Sequence, residues 1–593
     1  MNSDQTILLL ILLALLVLLV WGRWRYDIVA LGALFTASVF GIVPQTELFT
    51  GFGNPATITV VLVLIVSFGL TKSGAVEFVT DFIEPVVDQP FLHIAALTFL
   101  AAFLSMFMNN VGALALLMPI AIQSTTRAGR APATVLMPLS FGSILGGLVT
   151  LIGTPPNILI ANYRQQVTGE SFSMFDFAPV GGGIAIVGII FMLVFGWKLV
   201  KVRKQTAGLE LFEVEEYLFE LKVTGESEVV GQTVKQLKQM LVDNKMDLLS
   251  IIHKGERFPN VYHYRGHELS NNDLLVVQGS HDDVDDFATL HKLEMVSAEN
   301  ARQEILHSEG SQISEIVVTP QSTIVGSTPT EIRFNRRYGV NLLAASRSGS
   351  PYAGRLRELK FETGDVLLLH GGEDELYDAI TKMNCYPLAE RDLEIKRSAK
   401  SKWALGIFML AISLAASGLL SIQLALGMAT VGMALFNIVP VREFYDGVDW
   451  PVVVLLGAMI PIGAALETTG TTTLLVDGIL LVAGDLSPVF ILALILVVTM
   501  TVSDVLNNAA TAILMAPIAF NIALSLELNP DAFLMAVAVG ASCAFLTPIG
   551  HQNNALIMGP GGYKFSDYWR MGLPLEIVIV AVAIPLLLIV WPI

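Results

Sequence analysis

Long apolar runs fill both ends of this 593-residue chain and are missing from its centre. Before the centre they fall near 6–21, 28–44, 55–71, 91–108, 111–123, 132–151 and 178–200; after it, near 403–419, 421–440, 451–467, 486–505, 508–525, 530–547 and 573–592. Runs close to 20 residues match the hydrocarbon thickness of a bilayer. A shorter one such as 111–123, bounded by Asn, Gly and Pro, reads as a discontinuous or re-entrant helix. The expected fold class is therefore a polytopic α-helical membrane protein. The run at 6–21 follows MNSDQ, which has no Lys or Arg, and leads at once into another run, so it reads as a retained first span.

Charge follows the same division. Only 15% of residues are charged, yet residues 201–400 hold 32 of the 52 acids and 24 of the 35 bases. A membrane portion thus surrounds a soluble insert. The net charge of −17 and the lack of a basic stripe exclude a nucleic-acid partner. Cys385 lies in the polar centre and Cys543 in an apolar run, which argues against a disulfide. With no CxxC or His/Cys ligand spacing, no transition-metal site and no cofactor are expected. Basic residues beside the runs (Arg23 and Arg25; Lys198, Lys201, Arg203 and Lys204; Lys396, Arg397, Lys400 and Lys402) place the insert on the cytoplasmic side of the inner membrane. Arg127 and Arg130 fit a further inner loop.

The membrane portion is duplicated. SMFMNNVGALALLMPIA (105–121) matches SDVLNNAATAILMAPIA (503–519), and TLIGTPPNILI (150–160) matches TPIGHQNNALI (547–557). Asn110 precedes Gly153 by 43 residues, and Asn508 precedes Gly550 by 42. Further upstream, LTKSG (70–74) matches LETTG (466–470), and Pro55 matches Pro451, so the units cover about 55–160 and 451–557. The insert carries a smaller repeat: VVGQTVKQL, DLLSIIHKG and LSNNDLLVVQG are echoed by IVGSTPTEI, NLLAASRSG and LKFETGDVLLLHG. These β-rich runs and the acidic helix starts at 281–290 and 373–382 define two α+β lobes. The expected boundaries are 1–204 for the first membrane half, 205–290 and 312–395 for the lobes, 291–311 for a linker, and 396–593 for the second half.

Asn-Asn pairs inside apolar segments need hydrogen-bonding partners, an interrupted helix or a ligand. A helix break offers N–H groups to an anion and carbonyls to a cation. The candidate substrate contacts are Asn109, Asn110, Thr154, Asn157, Asn507, Asn508 and Asn554. Ser105, Thr150, Ser503 and Thr547 add oxygen ligands for a cation. Packing glue between helices is the competing reading for each Asn, and Pro155 and Pro156 read equally as a helix terminator. Asp504, matched by Met106 in the first unit, reads either as a cation or proton partner or as a residue facing water. His551 reads as a substrate contact or as a satisfied structural histidine. Lys72, Glu77, Glu467 and Asp477 read as interfacial.

With these motifs the chain resembles the divalent anion:sodium symporter family of the wider ion-transporter superfamily, in particular bacterial permeases with two central TrkA-C-type domains. The resemblance is carried by MNNVGALALLMPI, SFGSILGGLVTLIGTPPNILI, LNNAATAILMAPI and GASCAFLTPIGHQNNALI together with the paired lobes. It implies inverted repeats, re-entrant hairpins, a homodimer and elevator-like movement. It implies sodium near Asn110 with Gly153 and near Asn508 with Gly550, and a small anionic substrate such as sulfate or a dicarboxylate. Better-known members carry Ser-Asn-Thr at each tip, whereas this chain has Asn109-Asn110-Val111 and Asn507-Asn508-Ala509. The expected function is sodium-coupled secondary anion uptake, with a small regulatory ligand on residues 205–395. Proton-coupled or exchange transport of another ion, and a membrane sensor, are the alternatives. No Walker A sequence, paired intramembrane Asp or HExxH supports a pump or an enzyme.

Overall fold

In a computed structural model, the described residues are 2–21, 24–73, 83–200, 218–244, 246–253, 256–258, 266–278, 281–296, 312–319, 322–347, 350–352, 356–388, 400–483 and 486–593. Arg23, Glu77, Lys201, Arg203, Lys204, Lys396 and Arg397 lie outside them, as do most of the expected linker and the expected boundaries at 204/205 and 395/396. Contacts divide the chain into one unit of Met1–Arg203 with Arg391–Ile593, and a second of Lys204–Glu390.

The first half of the larger unit contains α1 (Ser3–Trp21), α2 (Tyr26–Val39), α3 (Pro55–Lys72), α4 (Pro90–Ser105), α5 (Asn110–Arg127), α6 (Ala133–Gly147), α7 (Pro155–Thr168) and α8 (Ala178–Phe191), the last extended by a π-turn over Met192–Gly196. Starts follow local chemistry. Pro stands at the first turn of α3, α4 and α7, where its missing N–H costs nothing. Asn54 and Asn109 cap α3 and α5 by accepting hydrogen bonds from Ala56 N and Val111 N. α7 was not among the expected segments because Asn157, Asn162, Tyr163, Arg164 and two Gln interrupt its apolar pattern.

The smaller unit holds two lobes of the same topology. The first comprises β1 (Leu218–Val223), α9 (Val234–Asp243), β2 (Asp247–His253), β3 (Glu256–Phe258), β4 (Leu274–Gln278), α10 (His281–Leu290) and β5 (Leu293–Val296), with sheet order β3-β2-β4-β1-β5. The second contains β6 (Gln312–Val318), β7 (Asn341–Arg347), β8 (Ser350–Pro351), β9 (Val366–Gly371), α11 (Glu373–Met383) and β10 (Cys385–Pro387), ordered β10-β6-β9-β7-β8. The two orders correspond strand for strand. Each lobe also carries a bulge at the same place, Leu248/Ser250 and Leu342/Ala344. Gly231 and Gly326, at φ 77° and 80°, turn the chain at matched positions. β5 lies within the stretch expected to be a linker: it pairs with β1 and buries Leu293, so the first lobe continues to Val296.

The second half of the larger unit contains α12 (Ser401–Ala416), α13 (Ile422–Leu435), α14 (Trp450–Thr468), α15 (Thr471–Ala483), α16 (Pro488–Ser503), α17 (Asn508–Ser525), α18 (Pro530–Ser542), α19 (Gln552–Met558) and α20 (Tyr568–Val590). α15 and α19 were also absent from the expected segments. Asp477 and Gly478 interrupt the first, and the second has only seven residues. Among the described residues, five stretches, including α14, α17 and α20, are long and apolar enough to cross a membrane, and eight shorter apolar helices accompany them. This is a multi-pass membrane protein.

The repeats interlock. α2 packs on α14 and α13 on α3, while α7 packs on α17 and α18, and α19 on α5 and α6. Each half thus delivers its downstream break to the other half's Asn-Asn helix.

Candidate functional site

The expected breaks are real interruptions. α4 stops at Ser105 and α5 starts at Asn110; α16 stops at Ser503 and α17 starts at Asn508. Asn109 and Asn507 are the N-caps, accepting from Val111 N at 3.3 Å and Ala509 N at 2.9 Å. The second residue of each pair turns back to its own tip. Asn110 Oδ1 accepts from Ser105 Oγ at 2.6 Å, and Asn508 Oδ1 from Ser503 Oγ at 3.0 Å.

The downstream breaks are fastened to these tips by matched bonds. Thr150 Oγ1 donates to Met106 O, and Thr547 Oγ1 donates to Asp504 O at 2.7 Å. Asn157 Nδ2 donates to Thr150 O at 2.9 Å and Gly147 O at 3.4 Å; Asn554 Nδ2 donates to Thr547 O at 3.1 Å and Ala544 O at 3.0 Å. The glycines allow the approach. A Cβ on Gly153 would lie 2.5 Å from Gly147 O, and one on Gly550 would lie 2.8 Å from Asp504 Cα.

Four of these starts open into one cavity of about 730 Å³, counting its mouth. Asn109, Asn110 and Val111, then Gly153, Thr154 and Pro155, then Asn507, Asn508 and Ala509, then Gly550, His551 and Gln552 line it. Three of the helices that begin there (α5, α7 and α17) run for 18, 14 and 18 residues. Each presents a partial positive charge to the same space, and the first turns of α5 and α17 add N–H groups; α7 opens on Pro155 and Pro156, which have none, and Asn157 N donates to Thr154 O at 3.2 Å. Val60, Val63, Leu64, Ile152, Ile158 and Val452 supply apolar wall. Asp449 is the only Asp, Glu, Lys or Arg among the described lining residues.

Among the expected substrate contacts, Asn109, Asn110, Thr154, Asn507 and Asn508 therefore face the cavity. Asn157 and Asn554 are buried behind it, with their amide donors committed to backbone carbonyls. Of the expected cation positions, Gly153 and Gly550 line the cavity, whereas Ser105, Thr150, Ser503 and Thr547 form its support. The oxygens near each tip are hydroxyls, amide oxygens and carbonyls, a donor set suited to a hard monovalent cation.

Several residues take places the sequence did not reveal. His551 caps α19 by accepting from Asn553 N at 3.1 Å, and its Nε2 lies 3.2 Å from Asn110 Nδ2 of the other repeat. Asn553 Nδ2 donates to Asn110 O at 3.2 Å and Ser143 Oγ at 2.6 Å. Asp504 does not face water: it is 3% exposed, and its Oδ1 accepts from Leu546 N at 2.9 Å. Glu576 accepts from the neighbouring Phe545 N at 3.4 Å, so two carboxyl groups hold successive amides of the second downstream break. Lys72 is ion-paired with Glu443, while Glu467 and Asp477 are exposed. Asp449 lines the cavity without a matched sign in the sequence: Trp450 separates it from Pro451, whereas Asn54 adjoins Pro55.

Comparison with known proteins agrees with this architecture. A family model described as Citrate transporter matches residues 16–540 and 487–593. The chain is 33% identical to an uncharacterised transporter of Synechocystis sp., over 93% of this chain and 91% of that protein. It is 28% identical to an uncharacterised transporter of Escherichia coli, over the full length of both. Sodium/sulfate cotransporter 1 of Chlamydomonas reinhardtii is 26% identical over 57% of this chain and 40% of its own length.

Proposed function

The chain belongs to the citrate transporter family, and from that premise we propose that it takes up a divalent oxyanion of the sulfate or dicarboxylate class together with sodium. The observation that carries this reading is the convergence of three long helix N-termini, with Asn109, Asn507 and Thr154, on one cavity. Helix N-termini favour negative charge, and the first-turn N–H groups of α5 and α17 are positioned before the ligand arrives. An anion in a poorly solvated cavity still needs compensating charge. No Lys or Arg among the described lining residues provides it, and Asp449 adds negative charge. A cation bound with the substrate resolves this imbalance, which is the physical case for symport. Asn110 with Gly153, and Asn508 with Gly550, are the cation positions in this proposal. The sulfate class is further supported by the name of the Chlamydomonas relative, a sodium/sulfate cotransporter.

Transport proceeds by opposed, re-entrant repeats moving across the membrane in a homodimer of the inner membrane. The central lobes, of TrkA-C type, lie in the cytoplasm and take a regulatory ligand. The test is a substrate and cation panel in sealed proteoliposomes: labelled sulfate, citrate and a C4-dicarboxylate, each under an imposed sodium or proton gradient. Accumulation of one anion that depends on the sodium gradient supports the reading. Absence of uptake of all three under either gradient overturns it.

A further inference from the structure

The two lobes solve one electrostatic problem in different ways. In the second lobe, Asp365 is 2% exposed and is neutralised by Arg347, whose Nε and Nη2 reach its two carboxylate oxygens at 2.7 and 2.8 Å. The guanidinium is also held by Glu362 at 2.8 Å and by Lys360 O at 2.6 Å. Strand register identifies the same place in the first lobe. Ser346 pairs with Val366 just before Arg347 and just after Asp365, and Ile252 pairs with Leu274 just before His253 and just after Asp273. A second correspondence fixes His267. Gly231 N donates to Leu269 O as Gly326 N donates to Phe361 O, so His267 stands where the second lobe has Leu359, which is 1% exposed.

The first lobe has thus exchanged an arginine and a leucine for two imidazoles beside a carboxylate. Asp273 is 2% exposed. Its Oδ2 accepts from Ser270 N at 2.8 Å, which orients Oδ1 towards His253 Nδ1 at 2.7 Å. The His253 and His267 rings lie 4.7 Å apart, edge to face. One ligand atom from each of the three side chains falls within a 4.8 Å span. Ligand atoms around a zinc-sized ion, each at about 2.0–2.1 Å from it, stand roughly 3.3 Å apart. Small side-chain rotations close that gap.

We propose that the first lobe binds a divalent transition-metal ion of the zinc class through His253, His267 and Asp273. Two imidazoles with one carboxylate suit a borderline-soft ion and are poor ligands for sodium or magnesium. Three protein ligands leave a fourth position for water or an exchangeable group. The ion takes over the charge role that Arg347 has in the second lobe and ties the end of β2 to the chain entering β4. The sequence concealed this set because its members are brought together by strand register, outside any recognised ligand spacing.

The test uses the full-length protein without a polyhistidine tag, purified in detergent, stripped with chelator and re-equilibrated with zinc. Bound metal is measured by mass spectrometry, and cobalt substitution is followed by its visible absorption. The expected result is one zinc per chain and a cobalt spectrum of tetrahedral type. The double variant His253→Arg with His267→Leu copies the second lobe, so it should keep its far-UV circular dichroism and elution volume while metal falls to background. Asp273→Asn should lower metal binding independently. Failure of the wild-type protein to retain stoichiometric metal, or undiminished binding by the folded double variant, overturns the proposal. The readout does not depend on transport, so its failure is distinct from failure of the uptake reading.

Discussion

Replacing Asn507 by aspartate separates the two tasks assigned to this residue. Its Oδ1 caps α17 through Ala509 N at 2.9 Å, and its side chain lines the cavity. Aspartate keeps the acceptor and adds a negative charge that the helix N-terminus favours by about 0.3–1 kcal/mol. Alanine removes the cap at a cost of about 1 kcal/mol. The order of thermal stability in detergent is therefore Asp at or above Asn, with Ala lowest. Uptake should follow a different order. A carboxylate roughly 5 Å from a bound anion, at an effective dielectric near 20, opposes it by about 3 kcal/mol per unit of substrate charge. That is about two orders of magnitude in affinity for each unit. Initial uptake rates in proteoliposomes should run Asn, then Ala, then Asp, with Asp near background. An aspartate variant that transports like the wild type would refute anion binding at these helix starts. Equal loss of uptake in both variants, tracking equal loss of stability, would reduce Asn507 to a structural cap.

Three further perturbations test neighbouring parts of the account. Asn110→Ala and Asn508→Ala leave both caps intact but remove the acceptors of Ser105 and Ser503; each should weaken the sodium dependence of uptake with expression retained, and wild-type sodium dependence in both would exclude these residues as cation ligands. Asn110→Ala should destabilise more, by about 1–3 kcal/mol, because Ser503 keeps a second acceptor in Ala541 O at 2.6 Å. Gly550→Ala places a Cβ 2.8 Å from Asp504 Cα and 2.9 Å from Ser503 O, so it should cost about 1–3 kcal/mol in a detergent melt; Gly182→Ala, with nothing within 4 Å, should be neutral or stabilising. Burial pushes the Cys385 thiol up to about 12. The folded protein then holds this proton while an unfolded thiol loses it, so stability declines as pH rises from about 9 towards 12, by at most about 1.4 kcal/mol per pH unit. Cys385 should resist alkylation at pH 8 until the lobe is unfolded, and rapid labelling of the native protein would contradict its placement.

The sequence made the general plan legible wherever the signal was repeated. Apolar length located most helices, and duplication located both Asn-Asn breaks and the matching Thr and Gly positions. It was less informative where role depends on which way a side chain points. Asn110 and Asn157 are both buried amides in duplicated motifs. One reaches the cavity, while the other closes the downstream break through Thr150 O. Pattern alone does not distinguish them, because the direction comes from packing between repeats. His551 and Asn553 show the same limit: their partners Asn110 and Ser143 are more than 400 residues away and belong to the other half. In the insert, turn residues and strand runs gave both lobes. β5 escaped because LEMV is short and lies after a helix, and only its pairing with β1 makes it a strand.

The central claim is that helix starts from both repeats hold the transported anion without a basic side chain among the described lining residues. A structure of the protein with sodium and selenate, an X-ray-detectable sulfate analogue, tests this most directly. The account predicts anomalous density in the cavity bounded by Asn109, Thr154, Asn507 and His551, lost in the Asn507→Asp variant. Selenate ordered only elsewhere, or held in the cavity equally well by that variant, would contradict it.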